Sequence, residues 1–298
     1  MRLINTLILT ILWVLNSNAQ EFGTHWISYP LPNDSSEVWF RKSYKFSSQP
    51  IQAFLSIAST GNYKLYINER NVTGSLLFEG QKEDILENHT FDVTRYLKSG
   101  NNVIAIWYAP MGEPSFGKQI SAELYGWRQD SIPFYYPSNG SWLTYQPQGC
   151  SHGEDEQFDG RTDVLSWKST DDFHSQGWIH PTGSYGLDQM LTSQENRVFK
   201  SENKLRQVLS PVYQHSDSAG YHIDFGRPFR GTIRLTLRNA HKGDKLFING
   251  YQYTCNGELD EQAFLRFKFQ SERIYTLTWS SRFKKSYIVN VEGLEIEE

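Results

Sequence analysis

Short runs in which apolar and polar residues alternate recur roughly every eight to twelve residues along this chain, separated by clusters of Gly, Asn, Pro and Ser. In the first half the runs are residues 38–46, 53–58, 63–67, 103–108 and 121–125. Alternation of period two puts every second side chain on one face of a strand, so each strand must bury that face against another sheet. Strands at this spacing build a sandwich or jelly roll and not βαβ units. The only helical signal in this half is a turn at 93–98. A second series, 221–225, 232–237, 245–248, 264–269, 275–279 and 287–291, follows the polar stretch 193–203. The expectation is an all-β chain of two β-sandwich (jelly-roll) domains, 21–192 and 193–298, each long enough to bury its own core.

Residues 1–20 open on Met1-Arg2, pass through a mostly apolar stretch at 7–15 and end in Asn18-Ala19-Gln20. This is the pattern of a secretory signal, with the mature chain starting at Gln20 or Glu21. The stretch is shorter than the roughly 20 apolar residues of a membrane span. The only cysteines are Cys150 and Cys255, so no lipid-anchoring Cys follows the cut. A secreted or periplasmic protein without membrane insertion is expected. The net charge of −4, with signs interspersed, argues against a nucleic-acid partner. Aromatic residues reach 15%, including nine Trp and 17 Tyr. Flat rings with an apolar face and a polar edge suit sugars, although most such rings belong to a sandwich core. Two cysteines in an exported chain are able to form one bridge, but sequence does not fix the pairing, and their spacing suits no zinc pair. Sequons at Asn33, Asn71, Asn88 and Asn139 mark expected surface loops.

Three motifs carry a resemblance. Trp39-Phe40-Arg41-Lys42, the run from Ile57-Ala58-Ser59-Thr60-Gly61-Asn62 through Tyr66-Ile67-Asn68, and Phe91-Asp92-Val93-Thr94 through Asn101-Asn102-Val103-Ile104-Ala105 resemble the N-terminal β-sandwich of bacterial α-L-rhamnosidases. Galactose-binding-like sandwiches share some of these features. Asn68 is expected in a hairpin turn, and Asp92-Val93-Thr94 is expected to cap the short turn that Gly100-Asn101 ends. Residues 153–161 resemble those enzymes' acidic-aromatic-Asp-Ala-Arg loop, with two extra residues and Gly160 in place of Ala. Ile223-Asp224-Phe225-Gly226 through Arg230-Gly231 resembles the phenylalanine-glycine turn that opens their next sandwich, and Asn290-Val291-Glu292-Gly293-Leu294 resembles its last strand. The resemblance thus spans nearly the whole mature chain, which ends where the family's helical barrel would begin. Because that barrel holds the hydrolytic carboxylates, rhamnosidase activity is not among the expectations.

Two clusters carry the candidate chemistry. In the first, His152 to Arg161, alternate carboxylates on a Gly-flanked loop make Glu154 and Glu156 candidate calcium ligands, the only cofactor considered. Arg161 would clamp a substrate carboxylate bidentately, with Asp159 and His152 beside it. The competing reading is a solvated acidic loop with Arg161 in an internal ion pair. The resemblance puts this loop at the junction of the sandwiches, where ligand sites tend to lie. The second cluster is Tyr213, His215, Tyr221, His222, Arg227 and Arg230. If 221–225 is a strand, Tyr221 and Ile223 share one face while His222 and Asp224 share the other, and only one pair can face a site. Such a set matches proton abstraction beside a uronate carboxylate, which needs a cation to acidify the C–H and His or Tyr as base and acid. A third group, His174-Ser175-Gln176-Gly177-Trp178-Ile179-His180, reads as structural, its two His fitting no metal spacing. No G-x-S-x-G, H-E-x-x-H or P-loop pattern occurs.

Two functions fit these residues. The first is lyase-type dehydration of a non-reducing-end uronic acid in rhamnose- and uronate-containing, ulvan-like oligosaccharides. In size, export and truncated-rhamnosidase appearance the chain is similar in general character to small ulvan-oligosaccharide dehydratases. Its expected catalytic residues are His215, His222, Tyr213 and Tyr221, with Arg161 or Arg230 on the carboxylate. The second is a non-catalytic carbohydrate-binding protein of a polysaccharide-degrading system. Either way the partner is an oligosaccharide or polysaccharide; the sequence leaves the oligomeric state open.

Overall fold

The computed structural model describes residues 25–31, 36–74, 88–110, 117–148, 150, 157–162, 165–183, 197–198, 205–265 and 269–296. The segment expected as a secretory signal lies outside them. Among the described residues there is no α-helix. In chain order the strands are β1 (Trp26–Ser28), β2 (Val38–Phe46), β3 (Gln52–Ser59), β4 (Asn62–Ile67), β5 (Arg70–Asn71), β6 (Asn88–Asp92), β7 (Gly100–Ala109), β8 (Gln119–Trp127), β9 (Pro133–Pro137), β10 (Leu143–Tyr145), β11 (Gln157–Asp159), β12 (Thr182–Gly183) and β13 (Arg197–Val198). They continue as β14 (Leu205–Leu209), β15 (Tyr213–Ser216), β16 (Tyr221–Leu237), β17 (Lys245–Ile248), β18 (Tyr251–Thr254), β19 (Glu261–Ala263), β20 (Gln270–Trp279) and β21 (Ile288–Ile296). The all-β, two-sandwich expectation holds.

Three sheets form. A seven-stranded sheet runs β12-β1-β8-β3-β6-β13 with β9 on β8, and a five-stranded sheet runs β10-β2-β7-β4-β5. These two face each other, with Phe40, Leu65, Ile104 and Ile106 of the smaller sheet in one core with Leu55, Ile57, Ile120 and Leu124 of the larger. The third sheet, of nine strands, runs β11-β18-β17-β20-β16-β21-β14, with β15 and β19 added to β16. It curls so that Ile223, Phe225, Leu235, Tyr253, Tyr275 and Leu277 share a second core.

Over β4, most of β7 and Val38–Arg41 of β2 the five-stranded sheet is buried on both faces. Its residues Trp39, Val103, Ala105 and Trp107 point away from the first core and belong to the second. The cover is aromatic. Trp167, on a 3-10 turn at Leu165–Lys168, stacks flat on Trp39 with centroids 4.5 Å apart. Phe158 of β11 lies between Trp107 and Tyr253, 5.7 Å from each. Arg41, on the same face, gives Nε to the Trp167 carbonyl (3.1 Å) and Nη2 to the Ser169 carbonyl (2.8 Å), and its guanidinium lies 3.6 Å from the Phe173 ring centre. Burial pulls its pKa down to about 10.

Local chemistry sets the turns. Asn68 (φ 49°) and Glu69 (φ 71°) form a hairpin turn in the left-handed region, where Asn carries little penalty. The Asn68 amide donates to the Tyr96 carbonyl and to Asn102 Oδ1, both at 2.9 Å, and its oxygen accepts from Val103 N at 2.9 Å. Asp92 Oδ1 accepts from Thr94 N (3.0 Å) at the 3-10 turn Thr94–Tyr96. At Gly231 a Cβ would lie 1.9 Å from the Leu294 carbonyl oxygen, so no larger residue fits between β16 and β21.

Several expectations at residue level give way. Residues 221–225 and 232–237 are one strand of 17 residues, β16, whose register shifts between Asp224 and Phe229 around the Phe-Gly turn. Of the strand expected at 264–269, residues 266–268 lie outside the described residues, while β19 ends at Ala263 and Phe264 and Phe269, neither in a strand, pack with Ile296. Asn88 is buried, accepting from Ser56 Oγ at 2.6 Å, so its sequon is not a surface loop. Cys150 and Cys255 are buried thiols with no bridge between them. The boundary drawn at 193 falls outside the described residues. Around it the sheets exchange segments: β11 pairs with β18 of the nine-stranded sheet, and β13 pairs with β6 of the seven-stranded one.

Candidate functional site

The hairpin β15–β16 fixes which side chains meet. Its register pairs Tyr213 with Asp224, Gln214 with Ile223, His215 with His222 and Ser216 with Tyr221. Alternation sends Tyr221 and Ile223 into the core and His222 and Asp224 outward. On the outer face His215 stacks on His222 (centroids 4.9 Å, 28°), and Tyr213 stacks on His215 (5.3 Å, 26°). The structure therefore brings three of the four expected catalytic residues into one row, Tyr213–His215–His222. Tyr221 stands on the opposite face, where its hydroxyl donates to Gln214 Oε1 and Lys285 Nζ lies 4.0 Å above its ring. Burial raises its phenol pKa.

Residues beyond the expected set complete the row. His222 is held at both nitrogens, with Nδ1 3.0 Å from Thr276 Oγ1 on β20 and Nε2 2.8 Å from Asp217 Oδ1. Asp217 closes the turn between β15 and β16, accepting from the amides of Ala219 (2.8 Å) and Gly220 (3.2 Å). The bond to His222 and these amides hold its carboxyl below the usual carboxylate range. Asp224 takes a two-pronged bond from Arg273 (2.9 and 2.8 Å), which likewise lowers the carboxyl pKa and raises that of the guanidinium. Asp217 was legible as a turn former ahead of Gly220, whereas Thr276 and Arg273 become neighbours only through the β16–β20 register, which no local pattern encodes.

The remaining expected residues lie elsewhere. Asp159 and Arg161 form their own pair, Nε to Oδ1 at 2.8 Å and Nη2 to Oδ2 at 2.5 Å, which matches the internal ion pair weighed against substrate clamping. Asp159 ends β11, five strands from β15, or about 24 Å along the sheet at roughly 4.8 Å per strand. Arg161 is thus engaged by Asp159 and stands strands away from the histidine row along the sheet. Arg230 lies eight residues beyond His222 on β16, past the register shift, with its guanidinium 5.7 Å from the Phe269 ring centre. Arg227 forms a two-pronged pair with Glu295 at 2.8 and 2.7 Å. His152, Glu154 and Glu156, and with them the candidate calcium site, lie outside the described residues. Trp178 packs on Tyr145 (5.4 Å), and His180 Nδ1 lies 3.0 Å from the Trp142 carbonyl oxygen.

The model of the α-L-rhamnosidase N-terminal domain matches residues 48–126, which span β3 to β8. Among solved structures, the α-L-rhamnosidase from Dictyoglumus thermophilum superposes with a TM-score of 0.77 at 18% identity over 94% of this chain and 36% of its own. The native enzyme from Aspergillus terreus gives 0.74 at 18% over 92% and 36%. The Streptomyces avermitilis enzyme, complexed with L-rhamnose, gives 0.69 at 17% over 89% and 29%. This chain therefore spans about a third of the length of the enzymes it is similar to. No curated protein matches it. Residues 48–126 thus match the α-L-rhamnosidase N-terminal domain, the chain as a whole shares its fold with a part of these enzymes, and its described residues contain no helical barrel.

Proposed function

We propose that this carbohydrate-related module is itself active, removing water from a non-reducing-end uronic acid in rhamnose- and uronate-containing, ulvan-like oligosaccharides outside the cytoplasm. The observation that carries the reading is the solvent-facing row Tyr213–His215–His222 with His222 held by Asp217 and Thr276. A carboxylate hydrogen-bonded to an imidazole orients the ring, the support a proton carrier needs. In the proposed step a base of the row takes the C5 proton, the C4–O bond breaks, and the departing hydroxyl leaves as water after protonation by an acid of the row. A C4=C5 double bond remains beside the carboxylate. Arg273, 55% exposed at its side chain and next to the row through Asp224, is the nearby cation for neutralising that carboxylate. The row needs no deep cleft, because the reacting unit is a chain end. Export follows from the signal-like first 20 residues.

The test is mass spectrometry of uronate- and rhamnose-containing oligosaccharides after incubation with the purified protein. Loss of one water from an intact oligosaccharide supports dehydration. His222→Ala should then lower turnover about 10²- to 10⁴-fold, and Arg273→Lys should impair it although the charge is kept. Cleavage into an unsaturated fragment would make the protein a chain-cleaving lyase. Unchanged sugar with saturable binding would make it a carbohydrate-binding protein.

A further inference from the structure

The turn between β15 and β16 gathers a second kind of chemistry, and we propose that His215, Asp217 and His222 form a binding site for a divalent transition-metal ion of the zinc type. One ligand atom from each residue lies within 4.8 Å of the others. A tetrahedral zinc at about 2.1 Å from nitrogen and oxygen needs its ligand atoms roughly 3.4 Å apart. The His222–Asp217 contact, at 2.8 Å, is already shorter than that. The remaining adjustment, of up to roughly 1.4 Å, falls on the exposed His215 ring, which a side-chain rotation supplies.

Three features suit an ion better than they suit a plain hairpin. The two imidazoles are direct cross-strand partners, so the backbone register itself sets their spacing. His222 is fixed through Nδ1 by Thr276 Oγ1, the outer-partner arrangement that orients a metal-bound histidine, and its Nε2 faces the Asp217 carboxylate; the ion would enter between the two. Asp217 takes its contacts from His222, Ala219 and Gly220 all on Oδ1, which fixes the carboxylate beside the two rings. Two nitrogens and one carboxylate select a borderline ion such as zinc over calcium, which prefers an all-oxygen shell. On an exposed hairpin the fourth position stays open to water or a sugar oxygen.

This inference rests on the residues of the dehydration reading but not on the reaction. A nitrogen that holds an ion cannot also carry a proton, so bound zinc inhibits the proposed chemistry instead of driving it. Because the imidazoles must be deprotonated to bind, capture weakens on acidification.

The test is isothermal titration of chelator-treated, tag-free protein with zinc chloride, with calcium chloride in parallel. One zinc per chain is expected, with no calcium heat that depends on these residues. His215→Ala and Asp217→Ala should each weaken zinc binding at least tenfold, the double variant His215→Ala/His222→Ala should abolish it, and Thr276→Val should weaken it roughly tenfold to a hundredfold. Circular dichroism and melting of each variant separate loss of the site from loss of the fold. No zinc uptake by the wild type, or undiminished uptake by the folded double variant, overturns the proposal. A protein that dehydrates sugar without taking up zinc refutes this site alone; one that takes up zinc but leaves every sugar intact refutes only the reaction.

Discussion

Phe158→Ala tests whether the two sandwiches stand as one unit. Phe158 is 1% exposed and lies 5.7 Å from both Trp107 of the five-stranded sheet and Tyr253 of the nine-stranded one. Removing a fully enclosed phenylalanine ring costs about 3–5 kcal/mol, since the lost burial and the cavity add. With contacts on both sides, a value near 4 kcal/mol is expected, a large part of the roughly 5–15 kcal/mol that stabilises an ordinary domain. At about 2.1 cal/mol/K per residue over a chain of this length, that corresponds to a melting shift of roughly 6 °C. Differential scanning calorimetry with tryptophan fluorescence reads it, because Trp39, Trp107 and Trp167 all border the junction. The wild type should melt in one transition, and the variant should melt lower and resolve into two. Phe158→Leu, which keeps most of the volume, should lose about 1–2 kcal/mol. A shift below about 1 °C with the single transition intact would refute the idea that this ring couples the sandwiches.

Asn68→Ala removes three hydrogen bonds and puts a β-carbon without a side-chain partner in the left-handed region, so a loss of about 1–3 kcal/mol by urea denaturation is expected. Asn68→Gly should not recover it, because the bonds matter more than the backbone. Asp224 has its carboxyl pKa lowered, first by Arg273 and then by the Gly226 amide. Its contribution is complete above the unfolded value near 4 and disappears as pH falls through the lower folded value; the acid limb of a stability-against-pH curve should flatten in Asp224→Asn, and an unchanged limb counts against the pair. Cys150 and Cys255 are buried thiols, and burial raises the Cys255 pKa, so reductant should leave the melting point unmoved and alkylation should proceed only on unfolding.

The strands were legible because one-face burial writes itself as alternation: residues 38–46 and 245–248 coincide with β2 and β17. Phe264 and Phe269 fall outside the strands because alternation does not supply a neighbouring strand, and both turn instead to Ile296. The face rule was legible too: once 221–225 formed a strand, Tyr221 had to part from His222. What no local pattern carried was the register between strands distant in sequence. That register brings Thr276 and Arg273 to the row, sends Asp159 and Arg161 to the far side of the same sheet, and leaves Arg230 beyond the bend. The double-sided burial of β2 was also hidden, because Val38-Trp39-Phe40-Arg41 is buried at all four positions and reads as alternation only in its second half.

The middle sheet has a consequence for biosynthesis. Its strands β2, β4 and β7 are complete once residue 109 has been made, and their first face can close on the seven-stranded sheet soon afterwards. The second face, with Trp39, Ala105 and Trp107, gains Phe158 and Trp167 some 50 to 60 residues later, but its partners on the nine-stranded sheet, such as Ile223, Tyr253 and Tyr275, follow only after more than a hundred. At roughly 5–20 residues per second of synthesis, that apolar face stays incompletely covered for about 8–33 s, until Tyr275 has been made. A chain interrupted in that interval would be sticky, and its delivery would depend on a chaperone that shields aromatic surface until the nine-stranded sheet arrives.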